Sequence, residues 1–411
     1  RIYRLQLKAV IPFLLLAVIA SPLIDSNWTS HLPVMSICAL IALTHIASYA
    51  PRSGLRAAGE ARLEAWTKVL ERAITTVAYL SLYALGITSV VGYASAFLFG
   101  AVSGFLLALW WVKRTVRVYE GQQGTQGDLG EAWLDNRSLM MQALPFAITL
   151  GVLPYVVRIE KFIIGIELGV DSAALFHVAQ LAWLAGLVVP QALRAALLPV
   201  LGKARFSPSD FGKEMNTSLD ICLGLLPIGI FAGAFIAKVF LPFAFPSQYT
   251  DGSLGASAVD LFMILLLGWC FTLVATPTYT ALQAGLRPWK FTFFIGLVVA
   301  FATATGFLLI GWQAPLGDGQ GLYAAAFAST LSAAFAFLLS IHLADSWAFF
   351  FNRSKEWLFA LVFMSLACIG LYSNTWFAAT GVLLFLFMPQ ALRAIGSTVG
   401  EKTLAKSSQE E

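Results

Sequence analysis

Three charged side chains inside an apolar stretch are the residues best suited to do chemistry: Arg158, Glu160 and Lys161, in LPYVVRIEKFIIGIELG. A charge inside a membrane helix costs roughly 2.5 to 3.5 kcal/mol on insertion scales, so such residues are functional candidates by default. On a helix, Arg158 and Lys161 share a face, whereas Glu160 points away from them. Two cations facing one cavity would suit an anion, and a phosphate ester is the obvious candidate.

A second interpretation places the same charges at the outer membrane surface. A helix that starts at Leu139 has crossed the bilayer after about 20 residues, and Arg158 and Lys161 would then extend toward the headgroups. Lys238 also lies near the outer end of its predicted span, where the same explanation is favoured. The sequence leaves both placements of the Arg158 group open.

His177 and Gln180 are further candidates, because they follow the next predicted outer loop and share one helical face with Trp183. The histidine could contact substrate or sense pH, and its alternative role is that of a hydrogen-bonded structural residue. Four cysteines, at positions 38, 222, 270 and 368, show no CxxC spacing and are interpreted as packing residues.

Twelve apolar spans must position these residues, each close to the ~20 residues needed to cross a bilayer. They are predicted at residues 5–24, 32–50, 73–91, 93–112, 142–163, 174–193, 218–243, 259–283, 291–312, 321–343, 357–372 and 375–390. Asp220 and Asp260 are interpreted as N-caps of their spans. GxxxG spacing at Gly100 and Gly104, and again at Gly229 and Gly233, predicts close helix packing.

The Lys and Arg residues are sorted between alternate loops. Of the 26, all but Arg158, Lys161 and Lys238 fall in the loops and termini of one side. Basic residues near span ends stay cytoplasmic, so both ends of this chain are predicted to be cytoplasmic in a bacterial inner membrane. The net charge of +4 is explained by these loops and calls for no nucleic-acid partner. The charged loop 51–71 is interpreted as a surface helix.

The polar stretch that follows the fourth span divides the chain. The predicted organisation is an N-terminal lobe at 1–120, a cytoplasmic linker at 121–138, a C-terminal lobe at 139–345 and an added helical hairpin with a tail at 346–411. The content of 59% hydrophobic and 12% charged residues is that of a polytopic membrane protein.

Motifs for covalent chemistry do not occur in the sequence. There is no GxxxxGK[ST] phosphate loop, no HExxH and no GxSxG, so we expect no enzyme of those classes, no catalytic residue, and no metal or cofactor site.

Several segments resemble a known family. The similarity lies in Leu144-Pro145-Phe146, in Arg158-Ile-Glu160-Lys161-Phe-Ile-Ile-Gly165, in Gly169-Val-Asp171, in Phe176-His177-Val-Ala179, and in the stretch from Gly54-Leu55-Arg56 to Arg62. These resemble the Wzx-like polysaccharide flippases, which export lipid-linked oligosaccharides and belong to the multidrug/oligosaccharidyl-lipid/polysaccharide superfamily. The chain departs from the family pattern at Glu160, where Asp is usual, and at Phe176 or His177, where Tyr is usual.

The resemblance implies an all-α fold in which two pseudo-symmetric lobes surround a central cationic cavity, followed by two further spans. Since the linker here follows four spans instead of six, the first two helices are expected to be missing from this chain. The implied mechanism is alternating access, in which the lobes rock about a central site.

The implied function is to flip an undecaprenyl-diphosphate oligosaccharide to the periplasmic leaflet for cell-surface polysaccharide, such as the O-antigen of lipopolysaccharide. Arg158 would be the principal phosphate contact and Lys161 its support, while Glu160 would balance charge or couple an ion. The implied partners are the lipid-linked oligosaccharide, the bilayer, protons or sodium, and proteins of polysaccharide assembly.

Two other functions remain open on the sequence. A MATE-like drug or cation antiporter would need buried carboxylates, and Glu160 is the one acid well inside a span. A membrane-embedded glycosyltransferase or ligase would need a large outer loop carrying acids, Arg or His, and the outer loops are short and lack Arg.

Overall fold

Helices are the only regular secondary structure in the part of the chain that the structure, a computed structural model, describes. That part comprises residues 28–57, 60–122, 158–285 and 287–396, with residues 141, 144, 145, 148, 149, 151–153, 155 and 156. Nine helical segments within it are long and apolar enough to cross a membrane, which confirms an all-α polytopic fold. The predicted span 5–24, most of the linker and the tail beyond residue 396 lie outside the described residues.

The chain divides into two compact units, Arg1–Trp133 and Leu134–Glu411. Three helices are described in the first unit: α1 (Trp28–Ala57), α2 (Ala61–Ala84) and α3 (Val90–Gln122). Both α1 and α2 pack against α3. The charged segment 51–71, predicted as one surface helix, is divided between the end of α1 and the start of α2.

A buried ion pair joins α1 to α2. Arg52 donates to the Glu71 carboxylate, and the Nδ1 atom of His45 lies 3.8 Å from the other carboxylate oxygen. Arg52 and Glu71, near the two ends of the segment, are only 8% and 4% exposed, whereas Glu60, Arg62 and Lys68 within it are exposed as predicted. The prediction failed for the buried pair because charges were assumed to be solvated, whereas these two compensate each other across the helix contact.

Glycines let α3 approach α2 closely. A Cβ added to Gly100 would lie 2.0 Å from Thr75 Oγ1, and one added to Gly104 would lie 2.9 Å from Glu71 Cβ. The same holds in the second unit, where a Cβ at Gly229 would lie 2.2 Å from the Trp269 ring. The predicted packing role of both GxxxG pairs is confirmed.

The second unit contains ten of the α-helices in the described residues. They are α4 (Ile159–Glu167), α5 (Val170–Gly186), α6 (Val188–Ala204), α7 (Pro208–Phe235), α8 (Leu241–Ala244), α9 (Ala258–Ala284), α10 (Pro288–Gln313), α11 (Asp318–Leu343), α12 (Trp347–Asn352) and α13 (Ser354–Ser373). A π-helical turn, Ile236–Phe240, joins α7 to α8, and a 3-10 helix, Trp376–Phe387, packs against α13 and α7.

Helix α9 is the centre of the second unit. It contacts α5, α6, α7, α11 and α13, and most of its apolar span is buried inside the protein. Its sequence is apolar on every side, as expected for a helix surrounded by others. The predicted span 259–283 therefore matches the helix almost residue for residue.

Other predicted spans were too short. Helix α3 continues through Gln122 into the predicted linker, and α5 and α6 together form a 35-residue apolar segment, Val170–Ala204. Arg194 accordingly lies within a helix and not in a cytoplasmic loop. The span prediction ended at residue 193 because the arginine was assumed to mark the membrane surface.

The two predicted N-caps are also wrong. Asp220 lies in the middle of α7, whose N-cap is Ser207, and it pairs with Arg353 Nη2 at 2.6 Å. Asp260 lies in the first turn of α9, where the Ser257 hydroxyl accepts from the backbone N–H of Val259 at 3.1 Å. In both cases a serine takes the capping position and the aspartate lies further along the helix.

Candidate functional site

Arg158 stands at the start of α4 and not within it. It is the N-cap residue, its side chain makes no capping hydrogen bond, and it is exposed. It was predicted to lie inside a continuous span from residue 142 to 163. The residues described between 141 and 156 are helical, and Arg158 lies in a turn between them and α4, which begins at Ile159.

Lys161 and His177 meet between α4 and α5. The Lys161 Nζ lies 2.6 Å from His177 Nδ1, which can accept its hydrogen bond when that nitrogen carries no proton. Arg158 is close enough for its charge to repel charge on both residues. We call Arg158, Lys161 and His177 the cationic patch. It brings together three of the five predicted site residues.

Glu160 faces away from the cationic patch, as the helical geometry predicts. It is 1% exposed, and neither carboxylate oxygen has a hydrogen-bond partner of good geometry among the described residues, although the Ser329 hydroxyl is close by. A buried carboxylate without a counter-charge is costly, so its retention is a reason to look for a ligand.

Glu160 is one of the residues that line a cavity of about 220 Å³ inside the second unit. Its walls come from α4, α5, α6, α9, α10 and α11, with Leu153 and Val156. The apolar wall residues include Leu153, Val156, Trp183, Leu187, Phe294, Ile295 and Val298, and the polar ones are Glu160, Gln191, Arg194, Thr272, Thr276, Tyr279, Ser329 and Ser332. An apolar pocket with a few polar groups is typical of a small-molecule site.

Arg194 is the cationic group of this cavity, and the sequence analysis missed it. Its Nη1 donates to the Tyr279 hydroxyl at 2.7 Å, and its guanidinium lies 5.5 Å from the centre of the same ring. The signal was present in the sequence, because Leu187, Pro190, Gln191 and Arg194 recur at helical spacing in a stretch that stays apolar to Leu201.

Gln180 is not brought into the cationic patch. It is buried on α5, whereas His177, one turn earlier, is exposed. Its contact with substrate therefore stays a prediction. A metal would find no cluster of three or more His, Cys, Asp or Glu side chains in the described residues.

The fold is similar to that of a known transporter. Among solved structures, the chain resembles the lipid II flippase MurJ in its inward closed conformation, with a TM-score of 0.57. The alignment covers 93% of this chain and 81% of the MurJ chain, at 13% sequence identity. No protein-family model and no curated protein matches the sequence. At this identity the likeness establishes the architecture of a multi-pass membrane protein, while the substrate must be argued from the residues.

Proposed function

We propose that this chain flips an oligosaccharide linked to undecaprenyl diphosphate from the cytoplasmic to the periplasmic leaflet of the inner membrane. The observation that carries the proposal is the backbone likeness to a lipid II flippase over 93% of the chain. A fold can host several activities, so the choice of a lipid-linked oligosaccharide rests also on the cationic residues that this sequence supplies.

The cationic patch is the proposed contact for the diphosphate. Arg158 is exposed and has no carboxylate partner among the described residues, so its planar guanidinium is available for two parallel hydrogen bonds to phosphate oxygens. Lys161 adds a second positive charge, held in place by His177. In this proposal the sugar stays in the aqueous part of the transport path and the isoprenoid tail stays in lipid.

Transport would follow alternating access, with a site exposed first to the cytoplasm and then to the periplasm. The proposal assigns the energy to a proton or sodium gradient, and Glu160 is the candidate residue for ion coupling because its buried carboxylate has no counter-charge beside it among the described residues. Unpaired carboxylates inside membrane proteins often mark ion or proton pathways.

Reconstitution tests the proposal directly. The purified chain is placed in vesicles that contain a fluorescent undecaprenyl-diphosphate oligosaccharide, and dithionite added outside reports how much label reaches the outer leaflet. Parallel vesicles carry labelled lipid II or enclose an organic cation. We expect rapid flipping of the oligosaccharide and slower flipping of lipid II. If the oligosaccharide moves no faster than in vesicles without protein, the proposed function is wrong.

Arg158→Ala tests the phosphate contact, and Arg287→Ala is its matched control. Both arginines are exposed N-cap residues of helices in the second unit, and neither makes a side-chain capping bond. Losing a charge-assisted contact of about 1.5 to 3 kcal/mol should slow flipping at low substrate by roughly 10- to 100-fold for Arg158→Ala. Arg287→Ala should flip at the wild-type rate. Equal rates for the two variants would remove Arg158 from the site.

A MATE-like cation antiporter is the second candidate, because one specific observation favours it. Glu160 is a buried carboxylate in a cavity that also contains the aromatic rings of Trp183, Tyr279 and Phe294. Carboxylates and aromatic faces are the groups that bind organic cations. In the vesicle assay this function would appear as gradient-driven movement of the organic cation with no flipping of either lipid.

A further inference from the structure

We infer that the cavity in the second unit binds an elongated zwitterion, with an ammonium group at Glu160 and an anionic group at Arg194 and Tyr279. The inference does not depend on which lipid is flipped, since the cationic patch and the cavity lie on different sides of α4. It assigns a ligand to a cavity that the flippase proposal uses only through Glu160.

Glu160 forms one end of the proposed site. The side chain is 1% exposed, and both of its oxygens lack a hydrogen-bond partner of good geometry within the described part of the chain. Unpaired buried charges are rare in proteins because the desolvation cost is not repaid. A ligand in the cavity that carries a positively charged nitrogen would supply the missing counter-charge where Glu160 lines the wall.

Arg194 forms the other end of the proposed site. Its hydrogen-bond partner is the Tyr279 hydroxyl, and the ring of the same residue covers the guanidinium. A phenol orients the guanidinium without neutralising it. The positive charge therefore remains available to an anionic group, and the remaining N–H donors can bind a carboxylate or phosphate in the bidentate way.

Two contacts between helices show how far apart the charges lie. Leu168, at the end of α4, touches Gly321, near the start of α11. Glu160 lies eight residues before Leu168, and Ser329 lies eight residues after Gly321. Glu160 and Ser329 therefore lie at similar depth. Thr278, next to Tyr279, meets Ser340 at 2.6 Å between hydroxyl oxygens, eleven residues beyond Ser329. Eleven helical residues correspond to roughly 16 Å along the axis, which the two side chains shorten.

The wall between the two charged groups is mostly apolar. The buried side chains of Trp183, Phe294, Ile295 and Val298 line the cavity together with a small number of hydroxyl groups. An apolar chain of several carbons would fill this space. A compact zwitterion such as a free α-amino acid would be too short to reach both charges.

Neither charge alone accounts for the cavity. A simple organic cation would pair with Glu160 and leave Arg194 uncompensated, while a simple anionic amphiphile would do the reverse. A zwitterion with a separated ammonium and anion satisfies both groups in a cavity whose own charges sum to zero. It also explains why Glu160 and Arg194 stay apart and do not pair with each other.

The test measures binding to the purified full chain in nanodiscs by isothermal titration calorimetry. The probes are ω-aminooctanoic acid, octylamine, octanoic acid and the shorter γ-aminobutyric acid. We expect ω-aminooctanoic acid to bind more tightly than each of the other three by about tenfold or more, since each of them loses one charged contact or the reach to it. Equal affinity for octylamine and ω-aminooctanoic acid would overturn the inference, as would absence of binding.

Variants assign each end of the probe. Glu160→Gln should weaken the binding of octylamine and leave the binding of octanoic acid unchanged. Arg194→Gln should weaken the binding of octanoic acid and leave the binding of octylamine unchanged. Tyr279→Phe keeps the arginine and serves if Arg194→Gln does not fold, and it too should weaken only the anionic end. If Glu160→Gln and Tyr279→Phe both leave ω-aminooctanoic acid binding at the wild-type level, the ligand is elsewhere and the inference fails.

Discussion

Two buried glutamates, one in each unit, meet very different surroundings. Glu71 in the first unit is 4% exposed and accepts from Arg52, with His45 nearby. Glu160 in the second unit is 1% exposed and lines a cavity, and its carboxylate accepts no hydrogen bond from a cation among the described residues. The two side chains have the same chemistry and nearly the same burial.

Packing separates them further. The side chain of Glu71 lies across Gly104, where an added Cβ would come within 2.9 Å of both its Cβ and its Oε2. Glu160 instead lines a cavity whose walls come from six helices. A buried charge that is paired and tightly enclosed serves to hold helices together, whereas a buried charge beside a cavity and without a counter-charge is available to a ligand.

The largest expected effect comes from removing the partner of Glu71. Arg52→Ala would leave a buried carboxylate uncompensated, and breaking a buried pair in this way costs about 3 to 5 kcal/mol. We expect a loss of that size in the free energy of unfolding, measured by titrating the protein in mixed micelles with a denaturing detergent.

The double variant Arg52→Met with Glu71→Met separates the charge from the packing. Replacing a buried pair by apolar residues of similar volume is often neutral or stabilising. We therefore expect most of the lost stability to return. If the double variant is as unstable as Arg52→Ala, the contact between α1 and α2 depends on shape and not on charge balance.

The next largest effect concerns the glycine beneath Glu71. Gly104→Ala would press a methyl group against the Glu71 side chain, and overpacking of this kind costs typically 1 to 3 kcal/mol. Gly296→Ala on α10 is the matched control, because no atom lies within 4 Å of its added Cβ.

The same unfolding titration compares the two alanine variants. Gly296→Ala should be neutral or stabilising by up to about 1 kcal/mol, since alanine is the better helix former. Equal effects at the two positions would mean that α2 and α3 are not in close contact at Gly104.

Much of the architecture could be predicted from the sequence because membrane helices must be apolar and of a certain length. The bounds of α9 and the two GxxxG contacts follow from composition and spacing alone. That Glu160 and Lys161 point away from each other on the helix could also be predicted, since it is a consequence of helical geometry.

The partners of buried charges could not be predicted in the same way. Arg52 and Arg194 were both assigned to cytoplasmic loops, because a charge was taken as the sign of a membrane surface. Each one instead meets a residue distant in sequence, Glu71 and Tyr279 respectively. Hydropathy describes one segment at a time, so it carries no information about a compensating group on another helix.

The smallest expected effect is a gain in stability, and it is the sharpest test of the comparison between Glu71 and Glu160. Glu160→Met removes a buried carboxylate that has no counter-charge and fills part of the cavity, so the free energy of unfolding should rise by about 1 kcal/mol. The gain is limited because the wild-type carboxyl can take up a proton. Glu71→Met, which leaves Arg52 without its partner, should lower the free energy of unfolding.

Glu167→Met is the control on the same helix as Glu160. Because this position is exposed, the free energy of unfolding should change little, within about 0.5 kcal/mol. A loss of stability in Glu160→Met comparable to that in Glu71→Met would mean that Glu160 is structural, and the contrast between a closed and an open glutamate would then not hold.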